Sequence, residues 1–308
     1  MAMTAKTTSK DIYQQVTDVV IESLEQGNVV WRQTWNSFGL PKNITTGKPC
    51  RGWNVFWLNF HTMIKGYSTP YYLTFHQAQG LKGTIRKGEK GTRITYWATV
   101  EEKKTPATAG DHSDGNAVQT STLKLIPAVH TVFNLDQTEG ILFPVVEQLY
   151  RSEAEKITAC EAVIDKMSNR PAITHKGDKA FYVRSYDEVT IPDRRLFCSS
   201  EVYYSVLFHE LAHSTGHENR LNRKELLKYD GFGGKNYSKE ELTAELTAAF
   251  LSAVTGIQQE TLANSTAYVK GWLQALKNDK RLILTAASQA QKAADYILCI
   301  ESSDKKPG

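Results

Sequence analysis

The sequence predicts an α+β fold in two domains: an N-terminal α+β half and a C-terminal half that is mostly helical with a small sheet. Three observations carry this expectation. Apolar residues recur at helical spacing near both ends of the chain, while the strand-like stretches lie between, at 92–97, 123–133, 181–183 and 188–191. Charge and aromatic content also change sharply between the two halves. The boundary falls near residue 150, giving domains 1–150 and 151–308.

Residues 11–26 read as an amphipathic helix, because Ile12, Val16, Val19, Val20 and Leu24 line one side and Gly27 ends it. A second helix, 54–65, is crowded with Phe56, Leu58, Phe60, Met63 and Ile64. Residues 71–79 start extended and continue as a short helix. Strands are expected at 92–97 and 123–133, and the stretch between them, 103–122, is nearly free of large apolar residues. It cannot bury enough to order itself, so a mobile insertion is expected there. In the second half, 153–168 is a helix and 181–183 and 188–191 are strand-like. Helices at 263–276 and 282–300 close the chain.

At 308 residues the chain is long enough for two domains, each burying its own core. Hydrophobic content of 41% and charged content of 23% are ordinary for a globular protein. No apolar run approaches the ~18 residues of a membrane span, and residues 1–10 lack an apolar leader core. The expected location is therefore the cytoplasm, with no membrane partner. Cys50, Cys160, Cys198 and Cys299 are widely spaced, so neither a disulfide framework nor a thiolate metal site is expected.

The strongest chemical signal is Phe208-His209-Glu210-Leu211-Ala212-His213-Ser214-Thr215-Gly216-His217. Val202, Val206, His209 and His213 fall on one stripe of a helix, and Gly216 is read as its C-terminal stop. His209 and His213 then project one turn apart from the same face and can reach one cation. Glu210 lies beside that face, placed to take a proton from a water that such a cation acidifies. With eight histidines in the chain, composition alone yields a His-Glu-x-x-His only ~0.01 times.

Two imidazoles need a third ligand. His217 follows Gly216 by one residue, which does not match the metzincin spacing. A better source is the helical stretch 237–251, where Glu241 and Glu245 stack at i, i+4 above the small residues Ala248 and Ser252. One glutamate can ligate while the other orients an imidazole from behind. Glu241 is taken as the ligand and Glu245 as the orienting carboxylate, with the reverse assignment open on spacing alone. Ser238, three residues before Glu241, also fits a capping box. A two-His, one-carboxylate set favours Zn²⁺, with Mn²⁺ or Ni²⁺ as substitutes in vitro.

Between residues 28 and 100 the bases are Arg32, Lys42, Lys48, Arg51, Lys65, Lys82, Arg86, Lys87, Lys90 and Arg93, and the only acid is Glu89. This window is net +9 in a chain of net +4, so the remainder is acidic. Trp31, Trp35, Trp53, Trp57, Tyr67, Tyr71, Tyr72, Phe75, Tyr96 and Trp97 are interleaved with it. Cations for phosphates plus aromatic faces for bases suit sequence-tolerant binding of single-stranded DNA. No helix rich in Arg, Asn and Gln presents itself for a duplex major groove. The residues expected to contact the strand are Trp31, Trp35, Lys48, Arg51, Trp53, Arg86, Lys87 and Lys90.

The run His209 to His217, then Arg220-Leu-Asn-Arg223, Tyr237 and Glu241-Leu-Thr-Ala-Glu245, resembles the zincin-like metallopeptidase domain of ArdC-type antirestriction proteins. The helix carrying Glu241 is also similar to the third-ligand helix of gluzincins, which favours Glu241 over Glu245. Asp11-Ile12-Tyr13, residues 31–35, 43–54 and 74–79, and Arg86-Lys87-Gly88-Glu89-Lys90-Gly91 resemble the N-terminal domain of that family, shared with TraC-type plasmid primases. The resemblance implies single-stranded-DNA binding, protection of conjugating plasmid DNA from restriction, and proteolysis of an unidentified host protein. Many antirestriction proteins are acidic DNA mimics, and this basic chain is not of that kind. The alternative reading is a DNA-binding protein whose metal domain is structural or not required for protection; the presence of Glu210, which a structural zinc does not need, favours the first.

Overall fold

The computed structural model describes residues 9–29, 31, 39–103, 121–143, 151–227, 235–257 and 266–300. In chain order the first half comprises helix α1 (Ser9–Glu25), strand β1 (Lys42–Asn43), helix α2 (Trp53–Lys65), strand β2 (Tyr71–Leu73) and helix α3 (Phe75–Gly80). Strands β3 (Thr84–Ile85), β4 (Thr92–Lys103), β5 (Ser121–Asn134) and β6 (Thr138–Glu139) follow. The second half opens with helix α4 (Glu153–Lys166) and strands β7 (Ala172–His175), β8 (Phe181–Val183) and β9 (Glu188–Ile191). Helices α5 (Ser200–Ser214), α6 (Lys224–Leu227), α7 (Lys235–Thr255), α8 (Thr266–Asn278) and α9 (Leu282–Ile297) complete it. No helix among the described residues is long and apolar enough to cross a membrane.

The N-terminal sheet has the order β1-β2-β5-β4, and β3 pairs separately with β6. Strands β4 and β5 form one long antiparallel ladder from Thr92↔Val132 to Lys103↔Ser121. Lys103, Ser121 and Thr122, expected in the insertion, therefore belong to strands; residues 104–120 lie outside the described residues, as does the boundary stretch 144–150. The second sheet has the order β7-β9-β8, with β9 central, parallel to β7 and antiparallel to β8.

The two halves differ from expectation in how they bury their apolar residues. One continuous core runs from Ile12, Val16, Val20 and Leu24 of α1 through α2 into α4, α5, α7, α8 and α9. The reason is legible in α2: Val55, Phe56, Trp57, Leu58 and Phe60 are buried, so apolar side chains leave the helix in every direction. A helix of that kind must be covered on all sides. The small N-terminal sheet covers one face, where Leu58, Tyr72 and Val132 form a satellite cluster. Helix α9 covers another, while α1 packs against α8.

Helix α5 lies at the centre of the second half, between the β8–β9 edge of the small sheet and helices α7 and α9. Ser199 caps its start by accepting from the Val202 N–H. It ends at Ser214, two residues short of Gly216. Gly216 is not needed for a left-handed turn. A Cβ there would stand 2.9 Å from Leu226 Cδ2 and 3.0 Å from Arg223 Nη2. The glycine makes room for an arginine that passes under the helix end.

Candidate metal centre and nucleic-acid surface

His209 and His213 leave α5 one turn apart, and their rings meet edge-on with centroids 4.7 Å apart. The two Nε2 atoms are 3.1 Å apart. Glu241 comes from α7, the helix packed along α5. Its Oε2 is 3.5 Å from His209 Nε2 and its Oε1 is 3.5 Å from His213 Nε2. A tetrahedral cation with ligands at ~2.0–2.1 Å needs donor atoms ~3.3 Å from each other. The observed spacings bracket that edge length, and the three ligand atoms all lie within 4.8 Å of one another. The donor set fits a single divalent cation. Glu210, 8% exposed, sits beside His209 on the same helix.

The outer contacts define the imidazoles. His213 Nδ1 is 3.2 Å from Glu240 Oε1. A carboxylate can only accept, so Nδ1 carries a proton, and Nε2 faces the space it shares with His209 Nε2 and Glu241. Glu240 is itself pinned: Arg223 Nε donates to its Oε2 at 2.9 Å, and Arg223 Nη2 bonds both Oε1 and, at 2.8 Å, the Ala212 carbonyl. On the other side Glu245 Oε1 is 3.8 Å from His209 Nδ1, an electrostatic contact longer than a hydrogen bond. Ser238 lies inside α7, which starts at Lys235, so the expected capping role for Glu241 disappears.

This is a strongly negative cage. Burial alone pulls the His209 pKa down, but Glu241, Glu245 and Glu210 outweigh it and push it up to about 10. His213 is also raised, its burial outweighed by Glu241 and Glu240. Burial raises the Glu241 carboxyl, yet His213 and His209 hold it below its ordinary value. The field that favours a proton on these imidazoles also favours a doubly charged cation between them. His217 takes no part: it is buried, and its Nδ1 accepts from the Asn219 N–H at 3.2 Å.

The residues expected on a DNA strand divide. Lys48, Arg86, Lys87 and Lys90 are exposed, with Arg86 ion-paired to Glu89 at 3.0 Å. Arg51 is partly exposed but bonds Asp295 of α9, so it also ties the two halves together. Two tryptophans must be corrected. Trp31 is fully buried with its ring edge-on to Trp272, centroids 5.0 Å apart, and offers no face to a base. Trp53 is buried, and its Nε1 donates to Thr95 Oγ1 at 2.6 Å. Trp57 and Tyr72 are core as well. The short sheet leaves so much of the helices uncovered that the indoles go inside. The surface instead offers Phe75 and Tyr96. Trp35 lies outside the described residues.

Comparison with known proteins bears on both halves. Residues 10–133 match the N-terminal domain of anti-restriction factor ArdC, and residues 158–289 match a zincin-like metallopeptidase family. The metal-free crystal structure of antirestriction ArdC from the R388 plasmid superposes with a TM-score of 0.73 at 34% identity, over 93% of this chain and 96% of that one. The chain belongs to the ArdC antirestriction family. A Mn(II)-bound structure of the same ArdC matches with a TM-score of 0.70 at 34% identity, over 93% of this chain and 97% of that one. Uncharacterized protein y4eC of Sinorhizobium fredii is 32% identical over 97% of this chain and 95% of its own. DNA primase TraC of Escherichia coli is 35% identical over 95% of this chain, which spans only 20% of that primase.

Within this ArdC-type chain, sequence reasoning missed Glu240 and Arg223. Both lie within motifs quoted for the resemblance or next to them, yet i, i+4 spacing drew attention to Glu241 and Glu245. The available signal was Arg223 itself, a cation closing a run that already contained a glycine with no turn to serve.

Proposed function

We propose that this chain is a zinc-dependent metallopeptidase joined to a surface that binds single-stranded DNA with little sequence preference. Acting in the cytoplasm, it protects incoming conjugative DNA from restriction. The observation that carries the peptidase half is the convergence of His209, His213 and Glu241 with Glu210 alongside. Zn²⁺ on those three residues would supply Lewis acidity to a peptide carbonyl and to a water. Glu210 takes the proton from the attacking water and returns it to the leaving amine. Glu240 holds the His213 imidazole from behind through Nδ1, and Glu245 lies 3.8 Å behind that of His209, placed to orient it. Strand β8 packs on α5 at the edge of its sheet and offers main-chain groups to an extended peptide. The substrate is an unidentified host protein.

The DNA half rests on the exposed cations Lys48, Arg86, Lys87 and Lys90 in a basic window, supported by the exposed rings of Phe75 and Tyr96. The deciding experiment is Glu210→Gln in the full chain, followed for zinc content, strand affinity and cleavage of itself and of casein, with and without chelator. The expected outcome is full zinc content, unchanged strand affinity and lost cleavage. Undiminished, chelator-insensitive cleavage by the variant would overturn the assignment.

A further inference from the structure

A cleft of about 500 Å³ opens at the seam between the two halves. One wall is the loop and first turn of α2, Arg51 to Asn54, with Thr95 of β4; the other is α9, from Ser288 to Tyr296. Neither the metal chemistry nor the exposed basic turn at 86–91 uses it. Its size is that of a small-molecule site.

Three features define what it would hold. Arg51 and Lys292 bring a cation from each wall, and Arg51 engages Asp295 through Nη2, leaving the rest of its donor fork available. Gln291 donates from Nε2 to Asp295 Oδ1 at 2.9 Å, which fixes the amide orientation because a carboxylate only accepts. Its Oε1 is buried and has no hydrogen-bond partner. A buried acceptor without a donor calls for one. The remaining lining is aromatic and apolar: Trp53, Leu221, Tyr296 and Ile300. The ligand therefore has an anionic end, a flat or apolar body and an N–H donor. A nucleotide has all three. Every DNA base carries an N–H on its pairing edge, so a single acceptor takes any of them, in keeping with sequence-tolerant binding.

We propose that this seam cleft is a nucleotide subsite, in which one unit of a bound single strand places its phosphate on Arg51 and Lys292 and a turn of the Gln291 side chain brings its Oε1 out of the wall onto the base edge. The proposal rests on the single-strand reading above and extends it: the strand crosses from the N-terminal half onto α9. That helix packs along α7, which carries Glu241.

The test uses the full-length, zinc-loaded protein and a fluorescent dT oligomer. Lys292→Glu should weaken binding roughly tenfold, whereas Lys270→Glu, the same charge change on the exposed face of α8, should stay within about twofold. Gln291→Ala should weaken it less, with thermal melting showing all three folded. A bromodeoxyuridine-substituted oligomer should photocrosslink to the peptide containing Tyr296. If the oligomer binds but Lys292→Glu matches Lys270→Glu and no such crosslink forms, the subsite is wrong and the single-strand reading stands. Binding of dTMP that Lys292→Glu abolishes, with no binding of the oligomer, would overturn the strand as the source and the single-strand reading with it. An oligomer and a dTMP probe that both fail to bind would overturn the two together.

Discussion

Glu240→Gln isolates the part of the metal centre that lies behind the ligands. Glu240 is 5% exposed and holds two partners, Arg223 through Nε at 2.9 Å and His213 Nδ1 at 3.2 Å. Glutamine keeps the volume and removes the charge. Arg223, 4% exposed, is left as a buried cation without its counter-ion. Breaking a buried pair from one side costs ~3–5 kcal/mol. Losing the carboxylate behind a ligand imidazole costs ~10–100-fold in metal affinity, or about 1.4–2.7 kcal/mol. Chelated protein should therefore lose ~3–5 kcal/mol and zinc-saturated protein ~4–8 kcal/mol, since bound metal adds its own share to stability. Urea unfolding in both conditions and competition with a chromophoric chelator measure the two parts. Glu240→Gln combined with Arg223→Met removes both charges and should recover most of the stability but not the affinity. Zinc affinity within about twofold of the parent, with a stability loss under ~1 kcal/mol, would refute the reasoning.

Three further outcomes are expected. Trp31→Ala should cost ~3–5 kcal/mol by opening a hole against Trp272, with strand affinity of the folded protein unchanged; a selective loss of affinity would return Trp31 to the DNA surface. Arg86→Ala with Lys87→Ala should flatten the salt dependence of strand binding by about 1.4 in log–log slope, as two phosphate contacts require. Asp187 takes two hydrogen bonds from Arg220, whose side chain is fully buried, and one from Tyr182. Burial raises its carboxyl, but Arg220 and Tyr182 outweigh that and hold it below its ordinary 3.8. Its contribution to stability is therefore complete above pH 3.8 and lost as the pH falls below it. Asp187→Asn should be less stable than the parent at neutral pH, with the difference closing in acid; an equal difference at both would contradict the pairing.

The convergence of His209 and His213 was legible because its signal is local: the two need only a helix to meet. The pairing of Glu241 with them was legible from periodicity and resemblance. Glu240 was not, because its role depends on Arg223 arriving from a loop 17 residues upstream. Strands Phe181–Val183 and Glu188–Ile191 were read to the residue, whereas β7 was missed. Ala172 to His175 shows no alternation, and its partner β9 lies beyond β8 in the sequence. The tryptophans failed for a related reason. Aromatic residues beside cations look alike in sequence whether they face a base or a neighbouring helix, and only the packing of α1 on α8 decides that Trp31 faces Trp272.

The continuous core has a consequence for how this molecule comes apart. Its halves match separate families, yet they share one hydrophobic core and are expected to unfold together. Cutting near residue 150 would strand the apolar girdle of α2 on one fragment and leave Trp272 without Trp31 on the other. Each piece would carry a sticky scar where its neighbour had been, and self-association rather than autonomous folding is its natural fate. The intact chain should melt in a single transition reported alike by probes in either half. A lesion in one half is then felt as loss of abundance of both, whatever chemistry it spares.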